Sequence, residues 1–125
     1  MLIGAVVYAK DRANLQSFYE HLGFSTQEGD DSYSLLKNNE SELTLIQAPD
    51  EILKQIELGD PVVSRAHIPT KLVFLVDSIE ASAALINQQG GRIDRGQARW
   101  QFGQYFVQDA VDPEGNIIQL RELSN

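Results

Sequence analysis

Few residues of this chain can do chemistry. Its 125 residues include no cysteine and two histidines, His21 and His67. That excludes a thiolate nucleophile, a disulfide framework and any cysteine-bound zinc or iron–sulfur centre. No glycine-rich loop opens a helix, since Gly90-Gly91 follows one, the wrong context for cradling phosphate. No nucleophile elbow supports Ser-His-Asp hydrolysis. Asp30-Asp31 falls in a turn, where solvation accounts for the two acids better than proton transfer does. Both histidines read as ordinary surface or loop residues, His21 beside Glu20 on a helix and His67 between Ala66 and Ile68. Two stretches remain: Arg99-Trp100-Gln101-Phe102-Gly103-Gln104-Tyr105, which holds the only tryptophan, and Asp112-Pro113-Glu114-Gly115-Asn116.

The second stretch organises the chain. Pro113 presets φ for a turn and Gly115 supplies freedom at φ > 0, so the five residues form a tight reversal into the buried strand Asn116 to Arg121. Upstream, Leu2 to Tyr8 reads as a strand. Asp11 to Leu22 places Leu15, Phe18, Tyr19 and Leu22 at helical spacing, with Asp11 as N-cap and Gly23 as stop, which makes a helix of about three turns. Phe24 to Glu28, Tyr33 to Lys37 and Glu42 to Gln47 follow as strands, giving the order βαβββ. Asp50 to Leu58 reads as a short capped helix, and Gly59 to Pro69 is the best linker candidate. The order then repeats: strand Thr70 to Val76, a helix opened by Asp77 with Glu80 as a capping-box partner and closed by Gly90-Gly91, and strands Arg92 to Arg95, Phe102 to Gln108 and Asn116 to Arg121. Asp11 and Asp77 are equivalent, sixty-six residues apart. The expected organisation is one α+β domain over residues 1–125, with units 1–48 and 70–125 joined by linker 49–69.

A net charge of −8 disfavours binding a phosphate backbone, so nucleic acid is not an expected partner. It favours a cationic ligand or simply keeps the protein soluble. The apolar start, Met1 to Val7, lacks a basic flank, a cleavage site and the length to span a membrane, so a cytoplasmic protein is expected.

With two βαβββ units, the run Asp11, Leu15-Gln16-Ser17-Phe18-Tyr19-Glu20-His21-Leu22-Gly23-Phe24 and the closing Asp112-Pro113-Glu114-Gly115-Asn116 strand, the chain resembles the vicinal oxygen chelate superfamily. This group includes glyoxalase I, extradiol dioxygenases, and fosfomycin and bleomycin resistance proteins. The resemblance implies that the strands curl into an incomplete barrel, that paired units enclose a cupped pocket, and that the protein is a homodimer. In the family's enzymes a divalent metal sits there on His and Glu ligands. The matching positions here are Gly4, Lys71 and Gln119, none a good ligand. A slip of one residue offers only Ile3 or Ala5, Thr70 or Leu72, and Ile118 or Leu120, and the further acidic position of some members matches Thr44 or Leu45. No metal and no other cofactor is therefore expected.

Lys71 would place a cation where the metal sits, able to pair with an acidic ligand group, or is a strand-end surface lysine. Gln119 keeps a glutamate's shape without its charge, hydrogen-bonding a ligand or a neighbouring backbone group. By resemblance to the bleomycin-type members, Trp100, Phe102 and Tyr105 line the pocket mouth and stack on a planar ligand; alternatively Trp100 covers the core or a dimer contact. The expected function is binding or sequestration of a small organic molecule, cationic or planar. One alternative is a lyase, isomerase or dioxygenase of the same superfamily with a shifted metal site or Lys71 chemistry, and a second is a scaffold or regulatory protein whose pocket is vestigial.

Overall fold

The computed structural model describes residues 1–65, 68–93 and 99–124. The chain divides into two compact units, Met1–Glu57 and Leu58–Asn125. The first contains β1 (Gly4–Ala9), α1 (Arg12–His21), β2 (Ser25–Gly29), β3 (Tyr33–Asn38), β4 (Ser41–Gln47) and α2 (Asp50–Leu53). The second contains β5 (Leu72–Leu75), α3 (Ile79–Gln88), β6 (Trp100–Phe102), β7 (Tyr105–Val111) and β8 (Ile117–Leu123). Each forms an open four-stranded mixed sheet, ordered β1-β4-β3-β2 and β5-β8-β7-β6, with one parallel pair, β1/β4 or β5/β8. The fold is α+β.

In the first unit Leu15, Phe18 and Tyr19 on α1 are buried, with Leu36, Leu43 and Leu45 of the sheet. Each such side chain contributes about 1.5–3 kcal/mol by leaving water. Phe18 and Tyr19 meet edge to face at 5.0 Å. The Asp11 carboxylate accepts from the Asn14 amide at 3.1 Å, which starts the helix, and Gly23 at φ +117° ends it. Arg12 and Gln16 both bond the hydroxyl of buried Ser34, tying the helix to β3.

The second unit repeats the plan, with Ile79, Ala83 and Ile86 of α3 and Ile118 and Leu120 of β8 buried. Three details differ from expectation. The N-cap of α3 is Ser78, whose hydroxyl accepts from the Ala81 amide at 3.1 Å, so Asp77 lies outside the helix and the capping-box pairing with Glu80 is replaced. Within Arg92–Arg95, Arg92 makes a single bridge to Val111, while Asp94 and Arg95 lie outside the described residues, as does His67. The stretch from Phe102 to Gln108 is two strands: Gly103, at φ +59°, reverses the chain so that Phe102 pairs with Tyr105.

The reversal between β7 and β8 is built on one carboxylate. Asp112 Oδ1 accepts from the Glu114 and Asn116 amides at 2.9 and 3.0 Å, and Oδ2 accepts from Asn116 Nδ2 at 2.8 Å. Asp112 and Glu114 are 0% and 1% exposed. Residues 62–65 lie across the turn: the Arg65 amide donates to the Gly115 carbonyl at 2.8 Å, and Arg65 Nε donates to the Glu114 carbonyl at 2.9 Å. Gly115 has φ +85°, and a Cβ there would sit 2.3 Å from the Val63 carbonyl oxygen, so only glycine fits. Asp112→Ala is expected to lower stability by about 2–4 kcal/mol in urea unfolding, because buried amides lose a charged acceptor. A loss under about 0.5 kcal/mol would mean that the register of β7 on β8 does not need this carboxylate.

Candidate functional site

Along β5, β7 and β8 the side chains alternate between a face covered by α3 and an open face. Leu72, Phe74, Ala110, Ile118 and Leu120 turn inward, whereas Val73 and Leu75 are 49% and 66% exposed. The register places Val73 beside Gln119, Gln119 beside Asp109, Arg121 beside Val107, and Val107 beside Trp100. The β6–β7 hairpin then sets Phe102 beside Tyr105. Lys71 belongs to the same face, because its Nζ reaches Asp109 Oδ2 on β7 at 2.7 Å. Lys71, Trp100, Phe102, Tyr105 and Gln119 are thus gathered on one face of one sheet, although they come from four chain segments.

Sequence reasoning missed two residues of this face, Asp109 and Arg121. The Arg121 guanidinium carbon lies 5.0 Å from the Phe102 ring centre and 5.6 Å from that of Tyr105. At these separations the ring quadrupoles attract the cation. Its Nε donates to Gln119 Oε1 at 2.9 Å, so Gln119 serves as acceptor to an arginine and its amide group is oriented by that bond. Trp100 and Phe102 remain 40% and 59% exposed and present ring area to whatever approaches. The Lys71–Asp109 pair is partly exposed, which limits its contribution to stability to about 1 kcal/mol.

The open face of the first sheet differs in character. Register aligns Val6 with Thr44 and Leu35, and Tyr8 with Ile46 and Tyr33. The charge of Glu28 pushes the Tyr33 phenol above its ordinary range, with desolvation acting the same way. His21 is exposed on α1, and its Nδ1 donates to the Ser17 carbonyl at 2.7 Å.

The three positions that the resemblance matches to metal ligands, Gly4, Lys71 and Gln119, carry residues that do not fit a divalent ion. At Gly4 a Cβ would lie 1.9 Å from the Glu42 carbonyl oxygen, so this backbone admits no side chain there, imidazole included. Lys71 is a cation already paired with Asp109, and Gln119 carries no charge and is engaged by Arg121. Among the described residues no three histidine, aspartate or glutamate side chains come together in a cluster able to hold an ion. Gly4→Ala is expected to cost about 1–3 kcal/mol in urea unfolding, as strand β1 shifts from β4 to admit the methyl group. Unchanged stability would mean that this strand end yields and that the position can carry a ligating side chain.

No helix among the described residues is long and apolar enough to cross a membrane. No curated protein sequence matches the chain. Solved structures share its fold at low identity. One is a glyoxalase/bleomycin resistance protein/dioxygenase family enzyme from Burkholderia phytofirmans PsJN, with 17% identity, TM-score 0.72 and 96% of each chain covered. A second is a bleomycin resistance determinant encoded on the transposon Tn5, with 17% identity, TM-score 0.63 and coverage of 100% of this chain and 99% of that one. A third is a bleomycin-binding protein complexed with bleomycin, with 16% identity, TM-score 0.59 and coverage of 98% and 97%. The model of the Glyoxalase/Bleomycin resistance protein/Dioxygenase superfamily matches residues 3–120, nearly the whole chain, and the protein belongs to that superfamily.

Proposed function

We propose that the protein binds a small organic molecule with a planar group against the open face of the β5-β8-β7-β6 sheet, and does so without a metal. The observation that supports this most is the gathering of Trp100, Phe102, Tyr105, Lys71 and Gln119 on that face, with both exposed rings flanking a polar row. Trp100 and Phe102 supply stacking area, Gln119 and Arg121 supply hydrogen bonds, and the Lys71–Asp109 pair closes one side. Of two similar structures, a bleomycin resistance determinant and a bleomycin-binding protein complexed with bleomycin, the second bears a name that fits binding of a small organic molecule. Sequestration in the cytoplasm is the role this reading implies.

The ligand's planarity follows from the rings. Its charge is set by the groups it touches rather than by the chain as a whole: the net charge of −8 favours the approach of cations, whereas the face itself carries Lys71, Asp109 and Arg121. The two units act as one domain in this reading, and the working form is a homodimer, for which exposed Val73, Leu75 and Leu123 provide apolar area.

A thermal-unfolding screen of planar aromatic and heteroaromatic compounds, followed by titration on Trp100 fluorescence, tests the reading. A bound compound at a hundred times its Kd is expected to stabilise the fold by about 2.7 kcal/mol, a shift of several degrees in Tm. Phe102→Ala is expected to weaken that compound roughly 10-fold while leaving the unfolding midpoint of the free protein nearly unchanged, since the ring is mostly exposed. Binding that ignores Phe102→Ala and leaves Trp100 fluorescence unaltered would place the ligand elsewhere.

A further inference from the structure

We infer that the ligand is a planar carboxylate and that Arg121 is the residue that recognises it. The inference rests on the binding reading above and adds the chemical class. Lys71, Asp109 and Arg121 are ionised side chains on the open face of the second sheet, and Lys71 and Asp109 neutralise each other at 2.7 Å. Arg121 is left as the uncompensated charge: no carboxylate among the described residues pairs with it.

Arg121 is also held in place. Gln119 Oε1 takes Nε at 2.9 Å, and the rings of Phe102 and Tyr105 stand 5.0 and 5.6 Å from the guanidinium carbon. The two Nη groups make no hydrogen bond to a described residue. A guanidinium fixed at Nε and supported by aromatic rings offers its remaining N–H groups as a ready fork, which matches the two oxygens of a carboxylate in one plane. Phe102 beside the guanidinium and Trp100 on the same strand and face, both exposed, then take the flat body to which that carboxylate is attached. Gln119 has a defined part: as a neutral acceptor it orients the arginine without neutralising it, which a glutamate at the same position would do.

Calorimetric titration of the intact protein at pH 7 with 2-naphthoate, 2-naphthamide and 2-naphthylmethylammonium tests this, since the three share one ring system and differ in charge. The carboxylate is expected to bind roughly 10- to 100-fold more tightly than the amide, the range of a charge-assisted hydrogen bond, and the ammonium more weakly still. Arg121→Gln is expected to bring carboxylate and amide to within about 3-fold of each other, and Arg121→Lys, which keeps the charge but loses the fork, to retain part of the preference. Thermal unfolding of both variants confirms that they are folded. Equal or tighter binding of the amide or the ammonium to the unaltered protein overturns the carboxylate inference and leaves small-molecule binding standing. Carboxylate preference that survives Arg121→Gln overturns the role of Arg121. Failure of all three probes to bind overturns the inference and the binding reading together.

Discussion

The Asp112 carboxylate fixes the second unit. By gathering the Glu114 and Asn116 amides and the Asn116 side chain, it sets where β7 ends and β8 begins, and so sets the register Asp109 to Gln119 and Val107 to Arg121. A slip of one residue in a strand turns every side chain to the opposite face. With a slipped register Gln119 and Arg121 would lie under α3 and Ile118 and Leu120 would lie in water, so the core and the open face depend on the same turn. Residues 62–65 seal it, with Arg65 bonded to the carbonyls of Glu114 and Gly115.

That register also underlies the proposed binding. The positions that the resemblance matches to metal ligands are each engaged by a particular contact. Gly4 abuts the Glu42 carbonyl, Lys71 is matched with Asp109, and Gln119 is matched with Arg121. What occupies the face instead is an arginine resting on two rings with a tryptophan beside them. In the proposed function this surface draws its specificity from stacking and a fixed fork of donors.

Much of this was legible in the sequence, and the gaps have physical reasons. The helix α1, its Asp11 cap and the β7–β8 turn follow from local rules that tertiary contacts do not override. The cap of α3 was misread because Asp77 and Ser78 are both good N-caps in adjacent positions, and only the backbone path selects Ser78. The β6–β7 hairpin was hidden because Gly103 interrupts a run whose flanking residues both favour strands. Treating that run as one strand would send Phe102 and Tyr105 to opposite faces, yet the hairpin makes them neighbours. Asp109 and Arg121 were recoverable: pairing outward from the five-residue turn matches 109 with 119, and alternation from Gln119 reaches 121. The pairing of Lys71 with Asp109 was not, since it depends on the parallel partner β5 and on a side chain reaching across β8.

The central claim is that an organic ligand, held by rings and Arg121, takes the place of a metal centre on this fold. Elemental analysis of the purified protein, combined with calorimetric addition of zinc, nickel and manganese to chelator-treated protein, tests it most directly. Far less than one metal per chain and no saturable uptake are expected. A single tightly held ion per chain, lost on Gln119→Ala with the fold intact, would contradict it and return the protein to the superfamily's metal-dependent chemistry.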